Sequence, residues 1–235
     1  MRFLVFFLFF ASQNLTAQVS DEMLLGLWGV TEVKVGERTM TPIAKWTEFT
    51  ADHRHRDGNG WTQHTVGNWK LDAENALLEI GNDNGVADEY GAFRIKFSEV
   101  KMYWQREEEG MAVQVTWERI ENLPQAHWDK ALGLWELENS ESANERDDWP
   151  KDVKVTLHMR WDRMYVIEIT PGGYGFHGFW VPNPHKSRIE IFNEEENPFV
   201  RDWQLSFEND QMIWKSIGQE KIRLTFRRIH DFPGG

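Results

Sequence analysis

Leu25-Gly-Leu-Trp28 occurs a second time as Leu132-Gly-Leu-Trp135, 107 residues further on. A chain that repeats itself in order builds the same unit twice, and three more landmarks keep that order. Gly67-Asn-Trp69 followed by Leu78-Glu-Ile80 returns as Gly178-Phe-Trp180 followed by Ile189-Glu-Ile191, at an offset of 111. Phe93 to Phe97 and then Met102-Tyr-Trp104 return as Trp203 to Phe207 and Met212-Ile-Trp214, at 110. Val115-Thr-Trp-Glu-Arg-Ile120 returns as Leu224-Thr-Phe-Arg-Arg-Ile229, at 109. An ordered series with so little drift describes two copies of a unit of about a hundred residues, the size of a small domain.

Inside each copy the apolar residues alternate with polar ones. Phe93, Ile95 and Phe97 share one face and Arg94, Lys96 and Ser98 the other; Trp203, Leu205 and Phe207 repeat the pattern. Val113, Val115 and Trp117, and later Ile222, Leu224 and Phe226, do the same. This is the period of half-buried antiparallel strands. Strong turn formers fall between the runs: Asp57-Gly-Asn-Gly60, Gly81-Asn-Asp-Asn-Gly85, Glu109-Gly110, Pro171-Gly-Gly173 and Asn183-Pro184. In the second copy strands are expected to start near Leu134, Val153, Met164, Gly175, Arg188, Phe199, Gln211 and Lys221. No stretch holds a helical apolar stripe, and Ala126 to Leu132 has room for one turn at most. Short strands joined by hairpins remove their edges by closing. The expected fold is therefore all-β: two small antiparallel up-and-down barrels of about eight strands each, from an internal duplication. One barrel built from both halves is the architectural alternative.

The expected segments are a signal peptide over 1–17, barrel 1 over 18–120, a linker over 121–130 punctuated by Pro124, barrel 2 over 131–229 and a tail over 230–235. The signal peptide rests on Met1-Arg2, the apolar run Phe3 to Ala11 and a small residue at Ala17. Nine apolar residues cannot span a bilayer, so no permanent membrane anchor is expected, and the product should be periplasmic or secreted. The sequence has no cysteine, which excludes disulfides, thiolate metal sites and thiol nucleophiles. The formal net charge of −12 disfavours nucleic acid as a partner, because phosphate contacts need a basic face.

Gly26–Trp28 and Gly133–Trp135 opening a first strand, Gly67–Trp69 and Gly178–Trp180 in the middle, and Arg119 and Arg228 on a closing strand resemble the pattern of bacterial lipocalin-like domains, within the wider calycin group. The resemblance covers both copies. It implies that Trp28 and Trp135 each plug one end of a barrel and that Arg119 and Arg228 lie across their rings. A guanidinium there gains cation–π attraction and keeps its donors for loop carbonyls.

Thirteen Trp is far above ordinary usage, so the tryptophans are sorted by the repeat. Those that recur are most simply core. Trp46, Trp61, Trp128, Trp149 and Trp161 do not recur. They are a stacking surface or barrel mouth on a functional reading, and ordinary packing or an inter-unit contact on the plainer one. A ligand held between the sheet faces would meet the inward alternation set: Phe49, Trp69, Phe93, Ile95 and Trp104 in barrel 1, and Trp180, Trp203, Leu205 and Trp214 in barrel 2. His53 and His55, at i and i+2, would share a face of a strand, with His64 near enough to complete a metal trio. Arg54, Arg56 and Asp57 around them favour a solvated strand end, so no metal is assigned. His177 is the one candidate axial haem ligand, and a loop histidine is the simpler account. The acidic runs at 107–109, 145–148 and 194–196 fall in turns and face water. No nucleophile elbow, phosphate loop or dinucleotide fingerprint is present. The sequence thus predicts no catalytic residue and no cofactor. It predicts an exported binding protein for a small apolar or amphipathic ligand; the alternative is a structural or interaction protein of the cell envelope, with solidly packed barrels, an aromatic surface patch and an envelope protein as partner.

Overall fold

The computed structural model describes residues 19–142, 152–193, 200–218 and 221–230. The expected signal peptide, Trp149, the acidic runs at 145–148 and 194–196 and the last five residues lie outside them. A one-turn helix, α1 (Asp21–Leu24), leads into β1 (Gly26–Val35), β2 (Arg38–Met40), β3 (Lys45–Phe49), β4 (Arg54–Asn59), β5 (Thr62–Asp72), β6 (Leu77–Asn82), β7 (Phe93–Ser98), β8 (Lys101–Glu108) and β9 (Met111–Arg119). A second one-turn helix, α2 (His127–Ala131), leads into β10 (Gly133–Ser142), β11 (Lys154–Met159), β12 (Met164–Thr170), β13 (Tyr174–Pro182), β14 (Arg188–Asn193), β15 (Val200–Glu208), β16 (Gln211–Ser216) and β17 (Ile222–His230).

Both halves close, each around its own core. Strands β10 to β17 pair in chain order and β10 meets β17, an eight-stranded antiparallel barrel. In the first half β1 and β3 to β9 do the same, with β1 pairing β9. The alternation did not disclose β2, which forms a hairpin on the far part of β1 through Val33–Met40 and Val35–Arg38. The first strand of each barrel carries a bulge three residues after its opening Trp, between Val30 and Glu32 and between Leu137 and Asn139. A bulge increases local twist and bend, which a strand bonded on both sides of a small barrel requires.

Four local expectations need correction. The acidic run at 107–109, expected in a turn, is mostly strand: Glu107 and Glu108 end β8, and Glu109 alone lies in the turn. The turn expected at Asp57 to Gly60 lies later: Asp57, Gly58 and Asn59 belong to β4, and the chain reverses at Gly60 and Trp61. His53 sits in the preceding turn at φ 59, so it does not share a strand face with His55; the exposed His64 instead bonds Asn59 and Thr65. His177 is exposed on β13, a strand rather than a loop, opposite Val166.

The two barrels touch through the joint that holds α2. The Asp129 carboxylate accepts from the Ala126 N–H at 2.8 Å and from the Trp61 N–H of the β4–β5 turn at 3.0 Å. Ile43 N–H donates to Pro184 O at 3.0 Å, and Ile43 and Ala44 pack on the core of the second barrel. The β4–β5 end of the first barrel therefore rests on the α2 end of the second. Trp128 is buried in the second core, and Trp46 is buried with its indole donating to Gly60 O. Trp61 and Trp161 remain exposed.

Candidate ligand-binding site

Each barrel is shut at its α-helical end by the same device. Trp28 Nε1 donates to Leu24 O and Trp135 Nε1 to Ala131 O, both at 2.7 Å. The Arg119 guanidinium lies 4.3 Å from the Trp28 ring and donates to Leu25 O and Met23 O. Arg228 lies 4.0 Å from Trp135 and donates to Leu132 O and Lys130 O. The four partners are the last carbonyls around each one-turn helix, which have no acceptor role within so short a helix. Cation and dipole end thus meet favourably.

The middle of each barrel is set by the Gly-x-Trp strand. A Cβ on Gly67 would stand 1.8 Å from Gly81 O and 2.8 Å from His55 Nε2, and one on Gly178 would stand 1.9 Å from Phe192 O. In the first barrel the missing side chain also makes room for His55, the residue paired opposite; Tyr165 holds that register place in the second. Here the copies diverge. Inward positions of the first barrel carry Thr47, His55, Asp57 and Thr65; the register gives Leu157, Tyr165, Ile167 and Phe176 in the second.

The interior of the first barrel is aromatic and polar together. Phe49 meets Trp69 edge-on at 5.8 Å and Trp104 at 6.0 Å, Phe93 lies 5.1 Å from Trp104, and Trp104 lies 4.6 Å from Trp117. Ile95 completes this cluster. His55 is fully buried: Nε2 lies 3.2 Å from Gly81 O, and Nδ1 lies 3.2 Å from Asp57 as an ion pair, off the line of a hydrogen bond. Burial pushes its pKa down, but the hydrogen-bonding and charge contributions of Asp57 and the Gly81 carbonyl outweigh it, and the net shift is upward. At the far end the Arg106 guanidinium lies 3.8 Å over the Phe93 ring and pairs with Asp88 and Glu108.

The interior of the second barrel contains a cavity of about 250 Å³. It begins one inward position beyond the plug, with Leu137 after Trp135 on β10 and Leu224 and Phe226 before Arg228 on β17. Val155, Tyr165, Ile167, Phe176, Ile191, Trp203, Trp214 and Ile222 complete an apolar wall, and Arg201, which is exposed, is its one charged member. Of the residues expected to line a ligand space, Trp203 and Trp214 do line it. Trp180 and Leu205 are buried in the second core away from the cavity wall; Trp180 is held by Arg163 at 4.4 Å and by its own bond to Met164 O. The five expected in the first barrel pack as just described. Leu137, Ile191 and Ile222 were missed, although each sits at an inward step of an alternation that was read correctly elsewhere. Tyr165 was missed because the residue facing a strand glycine is fixed by register, not by its own neighbours.

No family model and no curated protein matches this chain. Among solved structures it is similar to the crystal structure of a protein with unknown function from the DUF3598 family of Nostoc punctiforme, at 12% identity, with 87% of this chain and 96% of that chain covered and a TM-score of 0.25. The two eight-stranded barrels fit a calycin-like fold.

Proposed function

We propose that this is an exported, lipocalin-like binding protein that takes a small apolar or amphipathic molecule into its second barrel, with the first barrel as a solid support. The cavity of about 250 Å³ walled by Leu, Val, Ile, Phe and Trp side chains carries this reading. Apolar cavities of even ~150 Å³ stay dry and take up benzene or xenon, so a wall of this kind favours an apolar guest over water. The wall offers no acid–base pair, which favours binding over catalysis. Export rests on the N-terminal sequence; among the described residues no helix is long and apolar enough to cross a membrane.

Toluene titrated into the full chain and followed by NMR tests this. Saturable shifts confined to second-barrel resonances are expected, and Ile191→Phe, which fills the cavity, should abolish them while circular dichroism stays unchanged. No saturable shift up to the solubility limit of toluene would refute the reading.

One observation favours the envelope-interaction alternative. Met164, Phe179, Phe192 and Val200 pair in register as one apolar row across the outer face of β12 to β15, and Trp161 beside it is 79% exposed. Rows of this kind mark interaction surfaces. Retention in an envelope fraction that is lost in a Trp161→Ser, Phe179→Ser variant would support it; unchanged fractionation would remove it.

A further inference from the structure

The apolar row on the outside of β12 to β15 has a control within the same chain. Where the second barrel carries Met164, Phe179 and Phe192, the first carries Arg54, Asn68 and Gly81, paired in the same register. Val181 likewise stands where the first barrel has Lys70, and each pairs with a glutamate, Glu190 or Glu79. In the first barrel this face is suited to water: Arg54 donates to Asn68 Oδ1 at 2.9 Å and pairs with Asp83. That barrel closes as well as the second, so the fold itself does not call for apolar side chains here. They point outward and add nothing to the second core. Their presence on one copy alone calls for something that covers them.

We propose that this face is an isologous interface, on which two copies of the chain meet about a two-fold axis, second barrel against second barrel. Area and charge favour a second copy over another envelope protein. Trp161 is 79% exposed, Val200 60%, Val181 50% and Phe179 44%. At ~100 Å² for a whole valine side chain and ~200 Å² for an aromatic one, these four present roughly 400 Å² of apolar surface. Met164 and Phe192, half-buried in the same row, add to it. A stable interface of standard size takes ~800 Å² from each partner, of which ~57% is apolar, roughly 450 Å². The row thus supplies the apolar share of one such contact. The row itself is uncharged, and the ion pairs beside it, Arg188 with Asp202 and Arg160 with Asp162, close within the chain. A partner of opposite charge finds little there to recognise, whereas an uncharged row is its own complement across a two-fold. An axis between Phe179 and Phe192 sets those rings against the partner's, with Met164, Val181 and Val200 around them. Central aromatics ringed by smaller contacts carry most of the energy of such an interface.

Sedimentation equilibrium of the full chain at low and high salt tests this. A double variant, Met164→Arg with Phe179→Asn, is run beside it and carries the first barrel's residues in the same places. The wild type should form a dimer and nothing larger, because an isologous contact closes on itself. Added salt should leave the dimer intact or tighten it, since salt screens the repulsion between two chains of net charge −12. The variant should associate at least ~100-fold more weakly, because each lost side chain counts on both copies. Its circular dichroism and its second-barrel toluene shifts should stay unchanged, which separates this contact from the cavity reading. In the wild type the Met164, Val181 and Val200 methyl signals should become shielded from a soluble paramagnetic agent as protein concentration rises, a readout that needs no variant. A monomer at every concentration up to about 1 mM, a dimer that survives in the folded variant, or a dimer that salt dissociates would overturn the proposal. So would a monomer that uses this row to bind neutral phospholipid vesicles or an envelope fraction, since the face would then have another occupant.

Discussion

The duplicated Trp–Arg plug makes a quantitative prediction, because the same change can be made twice in one chain. Arg119→Ala removes a guanidinium 4.3 Å from the Trp28 ring and two donors to Leu25 O and Met23 O. An exposed cation–π contact contributes ~0.5–1 kcal/mol. Bonds from a charged donor contribute ~1.5–3 kcal/mol each when buried, but Arg119 is exposed and water can replace much of each, so ~0.5–1 kcal/mol apiece is appropriate. The sum is about 2 kcal/mol. For a domain of this size 1 kcal/mol moves the midpoint by ~4–8 °C, so the first barrel should melt about 10 °C lower. Arg228→Ala should do the same to the second barrel or slightly more, since its distances are as short and its side chain is partly buried. Arg119→Lys keeps the charge but loses the fork and should recover less than half. Differential scanning calorimetry, with each transition assigned through the variant that moves it, is the assay. A shift under about 2 °C in both variants, or full rescue by lysine, would refute the idea that the plug holds through fork and ring together.

Three further outcomes are expected. Gly67→Ala and Gly178→Ala should each cost more than about 3 kcal/mol in urea unfolding, because their Cβ atoms would stand under 2 Å from fixed carbonyls, whereas Gly81→Ala, with 3.9 Å of clearance, should stay near wild type; equal costs at all three would contradict this account of the motif. The upward pKa shift of His55 means that its charged form stabilises the folded barrel, a contribution complete below the unfolded value of about 6.5 and lost as pH rises through the folded value. The stability difference between wild type and His55→Phe should therefore shift against the wild type as pH rises above about 6.5, a comparison that cancels the opposite, downward shift of His64 in the same barrel; a pH-independent difference would refute it. Arg106→Ser, which copies Ser216 into the first barrel, should open space over Phe93 and give that barrel its own saturable toluene shifts, at a cost of about 2–3 kcal/mol for the lost ion pairs and ring contact; no uptake by a folded variant would show that Arg106 is not what fills that end.

The strand pattern of the second barrel could be read from alternation because its inward residues are apolar nearly throughout. Met164, Arg188 and Gln211 begin strands as expected, and the other starts fall within a residue of the expectation. The first barrel was harder where its inward residues are polar. Arg54 to Asn59 contains no aliphatic side chain, and Asp57-Gly-Asn-Gly60 has the composition of a turn; only pairing with β3 and β5 makes it a strand. The plugs were accessible because a short motif recurs with its arginine. Cavity position was not, since Phe49, Trp104, Trp203 and Trp214 look alike as inward aromatics and differ only in how much volume their neighbours leave.

That difference traces to one cross-strand pair at the open end of each barrel. Phe93 and Trp203 are equivalent, as are Arg106 and Ser216, and Trp203 pairs Ser216 directly. In the first barrel the arginine takes an inward position that a charged side chain can hold only with partners, and Asp88, Glu108 and the Gly91 carbonyl supply them. Its guanidinium then covers the ring below. In the second barrel the serine is too short to reach that space, and the larger Trp203 ring turns to Trp214 at 5.5 Å instead. Elsewhere in the interior the polar set Thr47, His55, Asp57 and Thr65 is replaced by Leu157, Tyr165, Ile167 and Phe176. An arginine with its own partners closes this end of the first barrel, while the short serine leaves the same end of the second barrel uncovered. The barrel left open at this end is also the one whose interior is apolar.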